Sequence, residues 1–294
     1  MSGAGDLHED YGRVVPSRSL VERVPARVAG LGLTHRHIVV IVSGLFLLPN
    51  ALILPGFSPL PAAIVLLGCA GSLYVFAKAT ASRAGWLAAR VDPLTLAICG
   101  CAALALCVLG GEGHFFYANY DWLTRDAVLA DLVRHPFPMF YDWQGSEFVL
   151  RAPLGMYMAP AAVGKLLGLR AAHLTLLAQN VAILALMLTV FASLAPARRG
   201  LFLFVFVAFS GVEIIARLIN VAVNYSATGE LSWPVHAHQH LAWWNPLFQY
   251  SNHVTQIFWV PHHSFPGWWL AALTILHVRR EIDSAVLIVA FAFL

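Results

Sequence analysis

Residues 111–152, GEGHFFYANYDWLTRDAVLADLVRHPFPMFYDWQGSEFVLRA, are polar, acid-rich and aromatic, and apolar stretches that read as membrane-spanning helix flank them on both sides. An acidic loop set into so apolar a chain points to a reaction site at a membrane surface. Composition outside the loop supports that reading. Hydrophobic residues make up 59% of the chain and charged residues 11%, with a mean hydropathy of +0.72. One water-facing globule cannot bury that much apolar surface, so the bilayer is the expected solvent. The net charge of +3 is small, and the basic residues stand between apolar runs instead of along one stripe. That pattern excludes a nucleic-acid footprint. Cys69, Cys99, Cys101 and Cys107 all fall in apolar runs, where they serve as small hydrophobes, and no loop holds a pair to oxidise.

Outward from the loop, hydropathy places spans at about 37–55, 59–78, 93–110, 171–195, 200–223, 264–278 and 283 to the end, each near the ~20 residues a bilayer core requires. The polar stretch 1–36, with Arg13, Arg18, Arg23, Arg27 and Arg36, is expected to be a cytoplasmic tail. Lys78, Arg83 and Arg90 follow the second run, Arg198 and Arg199 the fourth, and Arg279 and Arg280 the sixth. Since Lys and Arg accumulate on the cytoplasmic side, these clusters predict a multi-pass protein of the plasma (inner) membrane with its N-terminus inside. The loops 111–170 and 224–263 then lie outside. Segment 153–169, PLGMYMAPAAVGKLLGL, tests the count, being apolar but short and carrying Pro153, Gly155, Pro160, Gly164 and Lys165. A crossing there would send both arginine pairs outside, whereas a helix dipping into the outer leaflet keeps every basic cluster inside and is the reading adopted. The last run stops at Leu294 without a polar flank, so the chain is expected to continue beyond it.

Within the first loop, Trp122 to His135 reads as an amphipathic helix. Trp122, Leu129, Leu132 and Val133 gather on one side, Thr124, Asp131, Arg134 and His135 on the other. It is expected to lie along the interface, and Pro136 and Pro138 end it. An apolar helix, an external loop with the early acid Asp121, a juxtamembrane helix, a Pro153-Leu154 helix ending in Lys165-Leu166-Leu167-Gly168, and a span ending in Arg198-Arg199 together resemble the GT-C superfamily of membrane glycosyltransferases over roughly 93–200. The resemblance implies an all-α, polytopic membrane helix bundle, GT-C-like, with juxtamembrane helices in the first large external loop. Residues 37–80 would be an added transmembrane hairpin in front of a core at 81–294. It also implies a polyprenyl-phosphate sugar as donor, membrane lipid and lipid-linked sugar as partners, and inverting transfer to an acceptor on the external face. FSGVEII at 209–215 and the segment 242–268 are similar to uncharacterised bacterial membrane proteins of this general type.

Transfer from a lipid-phosphate sugar needs a carboxylate to accept the proton of the incoming hydroxyl, and cationic groups or a metal to meet the departing phosphate. Asp121 is the candidate base. By chemistry alone Asp126 or Glu147 serves equally, and an Asp just before an amphipathic helix is also a favoured N-cap. Many GT-C enzymes carry two adjacent acids here, whereas Trp122 follows Asp121; Asp142 and Glu147 are either substitutes or solvated loop charges. His236, His238 and His240 alternate, so an extended segment projects them to one face, where they could share a divalent metal ion. His253, His262 and His263 follow. Histidine and aromatic residues also collect at membrane interfaces without any ligand. Trp243, Trp244 and Tyr250 are therefore either substrate-binding residues of a lipid or sugar groove, or part of an interfacial belt. Glu213 and Arg217, four residues apart, either neutralise each other or leave Arg217 for a phosphate. Arg151, beside Pro153, is a second phosphate partner or an interfacial anchor. The expected function is a polytopic transferase with Asp121 as base; the alternatives are a lipid-linked saccharide transporter or flippase, and a catalytically silent scaffold subunit.

Overall fold

The computed structural model describes residues 32–53, 56, 58–81, 85–116, 118–209, 213–231 and 251–291, with Glu213, Ile214 and Arg217 described by backbone alone. In chain order these form α1 (His35–Leu52), α2 (Pro59–Ala79), α3 (Pro93–Leu109), a 3-10 turn (Glu112–His114), α4 (Asp121–Arg134), β1 (Phe140–Trp143), β2 (Ser146–Val149), α5 (Gly155–Leu167) and α6 (Leu169–Leu194). A second 3-10 turn (Pro196–Arg198) leads into α7 (Arg199–Ala208), α8 (Glu213–Thr228), α9 (His253–Trp259), α10 (Pro261–Val278) and α11 (Ser284–Phe291).

Packing is organised around α6, which is almost continuously buried from Ile183 to Leu194. So apolar a helix needs neighbours on most sides, and α1, α3, α4, α5, α7 and α10 supply them, leaving an exposed stripe at Leu174, Ala178 and Ala182. Ile38 and Val42 of α1, Cys99 and Ala103 of α3, Leu184 and Leu188 of α6, and Trp269 and Leu273 of α10 share one core. A smaller core lies under α4, where Trp122, Leu129 and Leu132 meet Met156 and Tyr157 of α5 and Leu176 of α6. Burying each of those leucines is worth roughly 1.5–3 kcal/mol, which holds a helix that is polar on its other side.

Among the described residues three helices, α1, α2 and α6, are long and apolar enough to cross a membrane. Among them α2 stands apart, because only Phe76 of its 21 residues is buried. The reading of 37–55, 59–78, 93–110 and 171–195 as helices matches α1, α2, α3 and α6 to within a few residues. The expected single span at 200–223 is instead two helices, since backbone leaves the helical region at Phe209 (φ −61°, ψ 124°) and α8 begins only at Glu213. Segment 153–169 forms the separate helix α5, whose 13 residues reach only ~20 Å, short of a bilayer core. Gly168, at φ +91°, turns α5 directly into α6. The one departure from an all-α chain among the described residues is the exposed antiparallel hairpin β1–β2, in register from Phe140↔Val149 to Trp143↔Ser146. Gln144 and Gly145 both sit at positive φ, as a two-residue hairpin turn requires.

The bundle has two chemically different ends. At one, Arg36 donates to Ala77 O, the Trp86 amide to Glu281, Arg279 to Leu194 O, and Arg199 pairs with Asp92. The basic residues that follow the apolar runs therefore gather together. At the other end lie the C-termini of α1 and α3, the N-termini of α6 and α10, and both α4 and α5.

Gly164 marks the closest approach of α4, α5 and α6: a β-carbon there would meet Val133 Cγ2 at 2.6 Å and Ala172 Cβ at 2.7 Å. Gly164→Ala is expected to lower stability by about 1–3 kcal/mol, read as a lower midpoint of thermal unfolding in detergent. Gly100→Ala in α3, where nothing lies within 4 Å of an added carbon, should leave the midpoint unchanged or slightly raised. Equal midpoints for the two variants would contradict this packing.

Candidate functional site

The site is built from the turn that ends α3. Gly111, Gly113 and His114 take φ of +103°, +73° and +57°. A β-carbon on Gly111 would meet Ala118 Cα and Trp122 Nε1 at 2.8 Å, and one on Gly113 would meet Leu177 Cδ2 at 2.9 Å. Glycine is thus required at both for space as well as for conformation. Arg170 Nη1 donates to Gly113 O (2.8 Å) and Trp122 Nε1 to Gly110 O (2.7 Å), closing the turn from both sides.

This reversal drives Glu112 inward, to 1% exposure. Its Oε1 accepts from Asn180 Nδ2 at 3.0 Å, while Oε2 is buried without a hydrogen-bond partner among the described residues. Burial pushes its pKa up to about 8, against the opposing pull of the Asn180 bond and the Arg125 charge. The carboxyl is therefore largely neutral at physiological pH.

Asn119 organises the start of α4. Its Oδ1 accepts from the Asp121 amide (3.0 Å) and its Nδ2 donates to Phe258 O (2.8 Å). Asp121 is accordingly the first helical residue and not the cap: Tyr120 stands at the N-cap without a side-chain cap bond, and Asn119 takes the Asp121 amide. Its carboxylate is 47% exposed and lies 3.9 Å from Arg125 Nη2. Arg125 itself is buried, donates Nη1 to Phe258 O at 3.3 Å and stands 5.0 Å over the Trp122 ring. Burial lowers its pKa, and Tyr157, Asp121, Glu112 and Asp126 hold it up.

Asp121, Thr124, Arg125, Tyr157, Trp259 and His262 line a cavity of about 330 Å³. A second cavity of about 200 Å³, walled by Leu45, Phe46, Ile183 and Phe265, lies between α1, α6 and α10. Pro153 and His262 line both, so the two cavities adjoin, and Asn50, Gln179 and Asn180 add polar groups to the second. The His262 Nδ1 is buried with no hydrogen-bond partner among the described residues.

On the other flank of α4, His114 Nε2, His173 Nδ1 and Asp126 Oδ1 converge. The two imidazole nitrogens are 3.2 Å apart, and Asp126 Oδ1 lies 3.4 Å from His114 and 3.8 Å from His173. This group could hold a metal ion. Burial raises the Asp126 pKa, with the His114 charge opposing.

Of the residues picked out by sequence, Asp121 lines the larger of these two cavities, whereas Asp126, its equal on chemistry alone, faces the histidine pair. Asp142 and Glu147 face each other across the exposed hairpin, and Arg151 is exposed and lines neither cavity. His253 packs on Phe206 and Trp268 with Nδ1 bonded to Phe206 O (2.6 Å). His236, His238, His240, Trp243, Trp244 and Tyr250 lie outside the described residues, as do the side chains of Glu213 and Arg217. Sequence reading missed Glu112, His114, Arg125, His173 and Asn180. His173 and Asn180, seven residues apart on one face of α6, were the available signal. Comparison with protein-family models, with curated proteins and with solved structures finds no match to this chain.

The neutral Glu112 has a pH signature. Below about 4.5, its ordinary value, the folded and unfolded chains both hold the proton; between about 4.5 and about 8 only the folded chain does. Its contribution to stability therefore falls as pH rises through that window and levels off above it. Glu112→Gln, which cannot ionise, should match the wild type near pH 5 and exceed its thermal midpoint increasingly towards pH 8, by the equivalent of a few kcal/mol at most. A gap that does not change with pH would mean that Glu112 is not held neutral.

Proposed function

We propose that this protein is a multi-pass membrane glycosyltransferase of GT-C-like architecture, moving a sugar from a polyprenyl-phosphate donor to an acceptor hydroxyl on the external face of the plasma membrane. The observation that carries the reading is the placement of Asp121: a half-exposed carboxylate, relieved of capping by Asn119, beside a buried arginine on the wall of a cavity. The gathering of basic residues at the opposite end of the bundle supports an orientation with that end, and the N-terminus, in the cytoplasm.

The chemistry follows from what lines the two chambers. Asp121 accepts the proton of the acceptor hydroxyl as its oxygen attacks the anomeric carbon, and the bond from that carbon to the phosphate oxygen breaks with inversion. Arg125, a cation held in low-dielectric surroundings, meets the negative charge that collects on the departing polyprenyl phosphate. Tyr157 and Trp259 offer ring surface to the sugar. Leu45, Phe46, Ile183 and Phe265 in the adjoining cavity offer apolar surface to the first isoprene units, next to the headgroup across Pro153 and His262.

Asp121→Asn keeps the size of the side chain and removes its basicity. In proteoliposomes supplied with a panel of polyprenyl-phosphate hexoses and pentoses, it is expected to reduce transfer by roughly 10²–10⁴-fold while expression and thermal midpoint stay at wild-type level. Wild-type protein that moves lipid-linked sugar across the bilayer without transferring it would favour a flippase instead. Full transfer activity in the variant would remove Asp121 from the mechanism.

A further inference from the structure

We propose that His114, Asp126 and His173 form a binding site for one divalent transition-metal ion of the zinc class, which clasps α4 to α6 and to the turn after α3. The three ligand atoms come from three separate elements and lie within 4.8 Å of one another. Their separations of 3.2, 3.4 and 3.8 Å bracket the edge of a tetrahedron with metal–ligand bonds of about 2.0–2.1 Å, which is ~3.3–3.4 Å. Cis ligands of an octahedral ion with the same bonds would stand only ~2.9 Å apart. Two imidazoles and one carboxylate also select a zinc-class ion over calcium or magnesium, which take oxygen ligands.

Hydrogen bonding among the three groups alone leaves a deficit. His114 Nε2 faces both His173 Nδ1 (3.2 Å) and Asp126 Oδ1 (3.4 Å) with at most one proton to share between them, and the buried Asp126 Oδ1 receives no well-aligned hydrogen bond among the described residues. A cation at the centre satisfies all three acceptors together. The cluster is also held in place before any ion arrives. His114 is set by a left-handed turn that Arg170 and Trp122 close, Asp126 by a helix anchored through Trp122, Leu129 and Leu132, and His173 by the central helix. The His114 and Asp126 side chains are 35% and 30% exposed, so an ion can enter and water can take the fourth position.

None of the three ligands lines the cavity that holds Asp121 and Arg125. The ion's role is therefore to position α4, whatever chemistry the cavity supports, and the assignment stands independently of the transferase reading.

Cobalt(II) is the probe. Full-length protein without a polyhistidine tag, in detergent and stripped with chelator, is titrated with Co²⁺. The expected result is one equivalent bound, with the intense visible d–d absorption of a four-coordinate ion, no sulfur-to-cobalt charge-transfer band, displacement by Zn²⁺ and a raised thermal midpoint. Asp126→Asn and His173→Gln should each weaken binding by about tenfold or more, an effect that even outer-sphere changes reach, and His114→Gln, at the exposed rim, should do the same. His135→Gln should bind as the wild type does. Absence of wild-type binding, a weak six-coordinate spectrum, a thiolate band, or binding that survives in both Asp126→Asn and His173→Gln would each overturn the assignment. Should those variants not fold, a chain carrying His236→Gln, His238→Gln and His240→Gln together keeps the test decisive: it should retain the wild-type cobalt spectrum, and loss of the spectrum there would overturn the assignment.

Discussion

A backbone that leaves an apolar helix within a bundle has to reverse in a few residues while keeping its polar groups paired. Here the reversal is Gly111–His114, and the polar architecture hangs from it. Glu112 goes inward to Asn180, His114 goes sideways to His173, and the ring nitrogen of Trp122 returns to Gly110 O. A left-handed conformation at a residue other than glycine costs of order 1–3 kcal/mol. At His114 that cost is offset where Arg170 and Trp122 secure the carbonyls on either side of the turn.

Arg125 is the electrostatic counterpart of that turn. A buried guanidinium needs partners or it does not stay buried, and Arg125 has the Phe258 carbonyl, the face of Trp122 and three carboxyl groups within electrostatic reach. The acids are not equivalent. Glu112 is enclosed and kept neutral by burial, Asp126 looks towards two imidazoles, and Asp121 alone of the three lines the cavity beside Arg125. The turn after α3 and the helix α4 thereby give three carboxyls three different environments.

Much of the helical framework was legible in sequence because sustained apolarity at span length is a local property. α1, α2, α3 and α6 could be read that way, and α4 could be read from its one-sided pattern. The break between α7 and α8 could not, since hydropathy averages across it. Asp121 was found by its place before an amphipathic helix, but the same local reasoning offered it as a cap. Only the neighbouring backbone decides that Asn119 supplies the acceptor. The histidine–aspartate cluster was out of reach for a simpler reason: His114, Asp126 and His173 are far apart in the chain, and only packing of α4 against α6 joins them. Glu112 stands between two glycines with no local pattern that marks burial, and only the turn folds it inside.

α2 touches α1 and α11 and buries Phe76, and most of the rest of its surface is exposed or half-exposed apolar side chain. Its requirements are thus statistical: enough grease over enough length, with the anchor at Phe76. Exchanges among leucine, isoleucine, valine and alanine along most of it are nearly interchangeable spellings, whereas one charge at mid-length spoils the whole word. Such a segment can drift far in the letters it uses while its bulk character stands still, so two descendants of this chain would diverge fastest in the very helix whose physical task changed least.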